Sequence, residues 1–157
     1  MSGFLNSKVS TVTVSTTGAS GIPTANVVGT GTSTNFPVLT IPLKANTLKK
    51  NGDTWKVVAD LGVSSNTNPK AWTASFNSQD CGASLSTVGV AGGRLEFTFT
   101  AKSTSALSVK NNVTPNNAPT QITADLTVDN NLTILCNLTN SGDIANVQSW
   151  SGVASNV

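Results

Sequence analysis

The chain has no histidine and no tyrosine, and its one glutamate is Glu96. Without histidine the commonest general base and the commonest metal ligand are missing, which excludes a hydrolytic triad of the usual kind. Charged residues make up 10% of the 157 positions, against roughly a quarter in ordinary soluble domains. The net charge is +2 with no basic cluster, so no nucleic-acid footprint is present. No stretch approaches the roughly 20 apolar residues that cross a bilayer. Met1 to Lys8 lacks the basic start and apolar stretch of a secretory signal, so cytoplasmic synthesis and no membrane partner are expected. The two cysteines, Cys81 and Cys136, are too few for a disulfide framework and read as free thiols. Nothing beside them supplies the further ligands that a metal site needs.

Serine, threonine and asparagine fill 60 of the 157 positions. That composition suits a chain that packs and adheres, and the expectation is a protein without catalytic residues, cofactor or metal. Asp53, Asp60, Asp80, Asp125, Asp129 and Asp143 are scattered, mostly at strand ends and turns. Turn chemistry accounts for Asp53, Asp129 and Asp143 better than a catalytic dyad does. Asp129-Asn-Asn131 is the nearest approach to a calcium loop and reads as a hairpin turn. Asn112, Asn131 and Asn137 each head an Asn-x-Thr triplet; so rich an Asn/Thr composition produces such triplets by chance.

Period-two alternation recurs along the chain. Trp55, Val57, Ala59 and Leu61 share one strand face, and Trp72, Ala74 and Phe76 share another. Leu95, Phe97, Phe99 and Ala101 oppose Arg94, Glu96, Thr98, Thr100 and Lys102. Ile122, Ala124, Leu126 and Val128 predict a strand, and Leu132, Ile134, Cys136 and Leu138 another. A last strand is predicted over Asn146 to Val153. Pro42 confines its strand to an edge, and Asn51-Gly-Asp is a tight-turn signal. No window sustains a helical period. The reading is an all-β, antiparallel, jelly-roll-like β-sandwich over residues 37–157. Residues 1–36, rich in Gly, Ser and Thr, read as an N-terminal arm or linker.

Trp55, Trp72, Phe97 and Phe99 are expected in the core or at a subunit interface. Trp150, flanked by serines, is the better candidate for an exposed contact. The scarcity of Lys and Glu leaves strand edges weakly guarded, which favours a permanent assembly over a dilute monomer.

The run from Leu39 to Gly62 (LTIPLKANTLKKNGDTWKVVADLG), followed by Asn66-Thr-Asn-Pro-Lys70, resembles a module of tailed-bacteriophage and prophage structural proteins. There, a strand ending in Ile-Pro precedes Ala-Asn-Thr-Leu, then Asn-Gly-Asp and an alternating strand. Gly92-Gly-Arg-Leu-Glu-Phe-Thr-Phe-Thr100 and the run from Thr123 to Ile134 are similar to its later strands. The resemblance covers about residues 37–153. Leu43-Lys44 intrude between Pro42 and Ala45, and Asn77 follows Phe76 where the module has Gly. The resemblance implies a trimeric jelly roll on the virion: a capsid decoration (cement) protein, a head fibre or a fibre tip, with no catalytic residues. A decoration protein is favoured over a receptor- or glycan-binding tip, because no long trimeric stalk precedes the sandwich. A bacterial adhesin or carbohydrate-binding module is a further alternative. The implied partners are a second and third copy of the chain, the major capsid protein and, for a tip, a host-surface glycan. The implied place is the capsid exterior, after synthesis in the bacterial cytoplasm. Phe4, Leu5, Lys8, Val12 and Val14 of the arm are the candidate capsid contacts, by strand addition to a neighbouring sheet edge.

Overall fold

The computed structural model describes residues 24–114 and 117–157. Phe4, Leu5, Lys8, Val12 and Val14 lie outside the described residues. Ten strands follow in chain order: β1 (Val27–Val28), β2 (Thr34–Leu43), β3 (Thr54–Val63), β4 (Lys70–Phe76), β5 (Gln79–Ser86), β6 (Gly92–Ser103), β7 (Ala106–Asn111), β8 (Thr120–Thr123), β9 (Asn130–Leu138) and β10 (Ile144–Ser155). Among the described residues there is no helix. Six strands form one sheet in the order β1-β10-β3-β6-β7-β8, and four form the other in the order β2-β9-β4-β5. Every pairing is antiparallel. The molecule is the all-β, jelly-roll-like sandwich that the alternation predicts.

The two sheets bury the apolar sides of their alternating strands against each other. Trp55, Val57, Ala59 and Leu61 of β3 meet Leu95, Phe97, Phe99 and Ala101 of β6 across the ladder. The facing sheet contributes Trp72, Ala74 and Phe76 of β4 with Leu132, Ile134, Cys136 and Leu138 of β9. Phe99 is the hub, with ring centroids 5.2 Å from Trp55 and 5.3 Å from Phe76. Each large apolar side chain enclosed in this way contributes about 1.5–3 kcal/mol.

The sandwich takes in chain ahead of residue 37. Val27 pairs with Ala145, and Gly29 N donates to Asp143 O at 2.7 Å. Gly29 permits this approach, since a Cβ there would stand 2.1 Å from Asn140 O. Part of the glycine-rich stretch thus serves close backbone packing rather than freedom.

Ile122 to Val128 does not form the continuous strand that its alternation predicts. β8 stops at Thr123. The Asp125 carboxylate accepts Thr127 N at 2.9 Å and Thr127 Oγ1 at 2.6 Å, closing a local turn. Ala124 and Leu126 stay buried, while Val128 is turned out to solvent.

Sheet edges are guarded by several devices. β2 carries Pro37 and Pro42 on its edge, as Pro42 predicts. β5 bulges at left-handed Gly82, whose N–H is taken by Asp80. β8 is four residues long. Among the described residues nothing pairs with the outer edge of β10 beyond Val147.

A polar groove on the outer face of the six-stranded sheet

Trp150 is not an exposed contact: it is 9% exposed and part of the core. Strict alternation from Val147 would send it outward, but the ladder between β10 and β3 breaks phase. Val147 faces Leu61 and Ser149 faces Asp60, leaving Gln148 as an extra residue. Such a bulge puts two successive side chains, Gln148 and Ser149, on one side of the sheet and restores the inward phase at Trp150. The outer face thereby gains a polar residue at no cost to the core.

Around that bulge the outer face is shaped into two adjoining shallow depressions. One, of about 340 Å³, is lined among others by Asn26, Gly62, Ser64, Asn146 and Gln148. The next, of about 400 Å³, runs along Asp60, Gly92, Gly93, Gln148 and Ser149. Asp60 is its organising residue. Its Oδ1 accepts Arg94 Nε at 2.7 Å and its Oδ2 accepts Ser149 Oγ at 2.6 Å. The Arg94 hydrogen bond, with that from Ser149, holds the Asp60 carboxyl below its usual range, so it is ionised at neutral pH. Asn146 Nδ2 donates to Asn26 Oδ1 at 2.8 Å, which leaves Asn146 Oδ1 without a protein partner. Lys56, Glu96, Thr98 and Lys110 extend the same polar face across β3, β6 and β7.

The arrangement offers planar amide and carboxylate groups, a guanidinium and a hydroxyl on a rigid sheet. That set can donate and accept several hydrogen bonds over a short span. Its one hydroxyl–carboxylate pair, Ser149 Oγ on Asp60 Oδ2, shares that carboxylate with the Arg94 guanidinium. Among the described residues no three His, Cys, Asp or Glu side chains gather to hold a metal. All three tryptophans are buried, so no indole is exposed for stacking.

The expected core or interface residues Trp55, Trp72, Phe97 and Phe99 all lie in the interior, at most 1% exposed. Turn chemistry holds for Asp53, whereas the carboxylates of Asp129 and Asp143 bind groups distant in sequence rather than their own turns. Asp53 accepts the N–H groups of Lys49 and Lys50, and Asp129 accepts Ala45 N and Lys44 Nζ. Asp143 receives the side-chain amides of Asn66 and Asn68 and lies against Lys70, which is wholly buried. Sequence reading missed Lys70 and the groove alike. The groove's trace is Gly62 opposite Gly92-Gly93, joined to the phase break at Val147-Gln-Ser-Trp150.

The sequence matches no family model and no curated protein. Among solved structures, the chain is similar to the EclA C-terminal domain, described as a sugar-binding protein. The identity is 10%, the TM-score 0.47, and the match covers 82% of this chain and 77% of that one. It is also similar to the CBM2 module of the evolved Dit of Lactobacillus casei BL23 phage J-1, with 11% identity, a TM-score of 0.37, and 75% and 69% of the chains covered. The Caenorhabditis elegans galectin LEC-6 is similar over 78% of this chain and 96% of its own, at 12% identity and a TM-score of 0.35.

Proposed function

We propose that this chain is a non-catalytic recognition module of a tailed-phage virion, and that the groove around Gln148 binds a polyhydroxylated ligand such as a host-surface glycan. The observation that carries the reading is the bulge, which sets Gln148 and Ser149 together on the outer face beside Asn146 and Asp60. Sugars are recognised by planar polar side chains that make paired hydrogen bonds to neighbouring hydroxyls. Without a stacking aromatic each site is weak, and display of many copies on a particle compensates by avidity. The test is a glycan array probed with the protein coupled densely to beads. Binding to a defined glycan class that Gln148→Ala and Asn146→Ala abolish is expected. An array without a binder, or binding that both variants retain, sinks the reading.

A second reading, a homotrimeric capsid decoration protein on the virion exterior, is favoured by the opposite sheet. The outward residues of β9, β4 and β2 include Thr133, Leu135, Asn137, Ala71, Thr73, Ser75 and Thr40, none of them charged. An uncharged, half-buried face desolvates cheaply against another protein. The arm residues Phe4, Leu5, Lys8, Val12 and Val14 are the proposed capsid anchor. Analytical ultracentrifugation should give a trimer. Removal of residues 1–15 should leave that trimer folded and unable to bind capsids lacking it; normal decoration by the truncated protein would exclude the arm as anchor.

A further inference from the structure

Lys70 begins β4 with its side chain fully enclosed. Its Nζ donates to Asn66 Oδ1 at 2.5 Å and to Asn68 O at 3.1 Å, and lies 3.7 Å from Asp143 Oδ2. The other carboxylate oxygen, Asp143 Oδ1, accepts Asn66 Nδ2 at 2.8 Å. One carboxylate therefore spans a lysine amine and the amide nitrogen of the very asparagine that the amine touches. Asn68 Nδ2 donates to both Asp143 oxygens, at 3.2 and 3.1 Å, and fixes the carboxylate in that position. A buried ion pair is a weak source of stability, so the enclosure of Lys70 is poorly explained as a fold-stabilising device. The nucleophile and the proton carrier are enclosed, and the half-buried Asn66 is held against both, its Oδ1 on Lys70 and its Nδ2 on Asp143, which is the proximity that an amide exchange requires.

We propose that Lys70 and Asn66 become joined by an intramolecular isopeptide bond, with Asp143 as the proton carrier. Lys70 Nζ passes a proton to Asp143 Oδ2, and the freed lone pair attacks Asn66 Cγ. Asp143 returns a proton to Nδ2 from its Oδ1 side as the Nζ–Cγ bond forms and the Cγ–Nδ2 bond breaks. The leaving group is ammonia; the second Nζ proton follows through Asp143 to it, so that it departs as ammonium and Asp143 ends as the carboxylate it began as. No oxidant, metal or nucleotide is consumed. The product amide keeps one N–H on the former Nζ to face Asp143, so the carboxylate is not left without a donor. The bond closes the loop between β3 and β4 where Asp143 also takes part in anchoring Gly29 beside β10.

Intact-mass spectrometry of the denatured full chain reads the reaction directly. The wild-type protein should weigh about 17 Da less than its sequence, the mass of one ammonia. Trypsin should fail to cut after Lys70, and fragments should map the loss to Asn66 joined to Lys70. Lys70→Gln should show the full mass of its own sequence. Asp143→Asn, checked for a native circular-dichroism spectrum, should keep most of its ammonia. The proposal is overturned by a wild-type chain of full mass that trypsin cuts after Lys70, even after prolonged incubation. It is equally overturned if the loss persists in Lys70→Gln, or if a loss of about 18 Da maps to a Lys70–Asp143 link. The wild-type measurement decides the matter even where a variant fails to fold.

Discussion

Asn146 lays its side-chain amide across Gly62: a Cβ on residue 62 would stand 2.4 Å from Asn146 Oδ1 and 2.8 Å from Gln148 Nε2. The glycine is thus part of the groove, because its missing side chain is the space the two amides occupy. Gly62→Ala meets side-chain atoms alone, Asn146 Oδ1 and Gln148 Nε2 with Gln148 Cγ at 3.1 Å, and no backbone. It should leave the melting temperature nearly unchanged while abolishing any binding at the groove. Gly92, directly across the ladder from Gly62, is a different case. Its Cβ would meet Leu61 O at 1.9 Å, a backbone atom that cannot swing away. Gly92→Ala should cost about 1–3 kcal/mol. Thermal denaturation of the two variants side by side checks the contrast; equal destabilisation would refute the division of roles.

Asp53 ties together two places far apart in sequence. Enclosed at 0% exposure, its carboxylate accepts Lys49 N at 2.8 Å and Lys50 N at 3.1 Å in the turn before β3, and Val157 N at 3.1 Å after β10. Burial alone would raise its pKa, but these N–H groups outweigh burial and hold it below the ordinary 3.8. Because the folded value is the lower one, this stabilisation is whole above 3.8 and is lost as pH falls through the folded value. Asp53→Ala takes the shared acceptor from three backbone N–H groups and should cost about 1–3 kcal/mol at neutral pH. In urea denaturation the gap between variant and wild type should narrow towards acid; a pH-independent gap would contradict the charge's role.

Cys81 and Cys136 are both buried and unbridged. Burial pushes each thiol up to about 12, with the Asp80 charge adding to the effect at Cys81 and Lys70 opposing it at Cys136. Only thiolates react quickly with disulfide reagents. The folded protein should therefore show no titratable thiol in mild alkali, and both should appear on denaturation. Since the folded values are raised, this source of stability is whole below 9.0 and declines as pH climbs towards 12. Rapid labelling of either cysteine in the native protein would be incompatible with this packing.

Most of the fold is legible in the sequence because most strands obey strict alternation. Leu95 to Ala101 and Leu132 to Leu138 declare their buried faces residue by residue, and the turn at Asn51-Gly52 is announced by a glycine at φ +96°. What escapes is wherever alternation continues without a ladder or breaks within one. Ile122 to Val128 alternates, yet Asp125 ends the strand with a side-chain turn. Val38 bulges β2 so that Val38 and Leu39 are both withdrawn from solvent, which is why that segment alternates poorly. Lys70 is invisible for another reason: a charged residue after a proline reads as solvated, and only the folded chain brings Asp143 to it from 73 positions away. The groove depends on β10, β3 and β6 lying side by side, an order that local pattern does not contain.

The bulge itself yields the sharpest test of the groove. Val147 pairs with Leu61, Ser149 with Asp60 and Trp150 with Ala59, so the registers on either side differ by the single residue Gln148. Deleting Gln148 would turn this stretch into a regular ladder with every other partner kept. Val147 and Trp150 would still face the core and Ser149 would still meet Asp60. A deletion inside a strand normally flips every later side chain to the wrong face and unfolds the domain. Here it should be tolerated, with a cooperative transition and a melting temperature close to wild type. What should vanish is recognition, because Gln148 leaves the outer face and the twist that opens the depression relaxes. Circular dichroism with thermal melting, alongside the glycan array, separates the outcomes. A folded deletion variant that no longer binds supports the groove. One that binds as well as wild type places recognition elsewhere on the molecule. One that fails to fold would show that the bulge is needed to build the sheet.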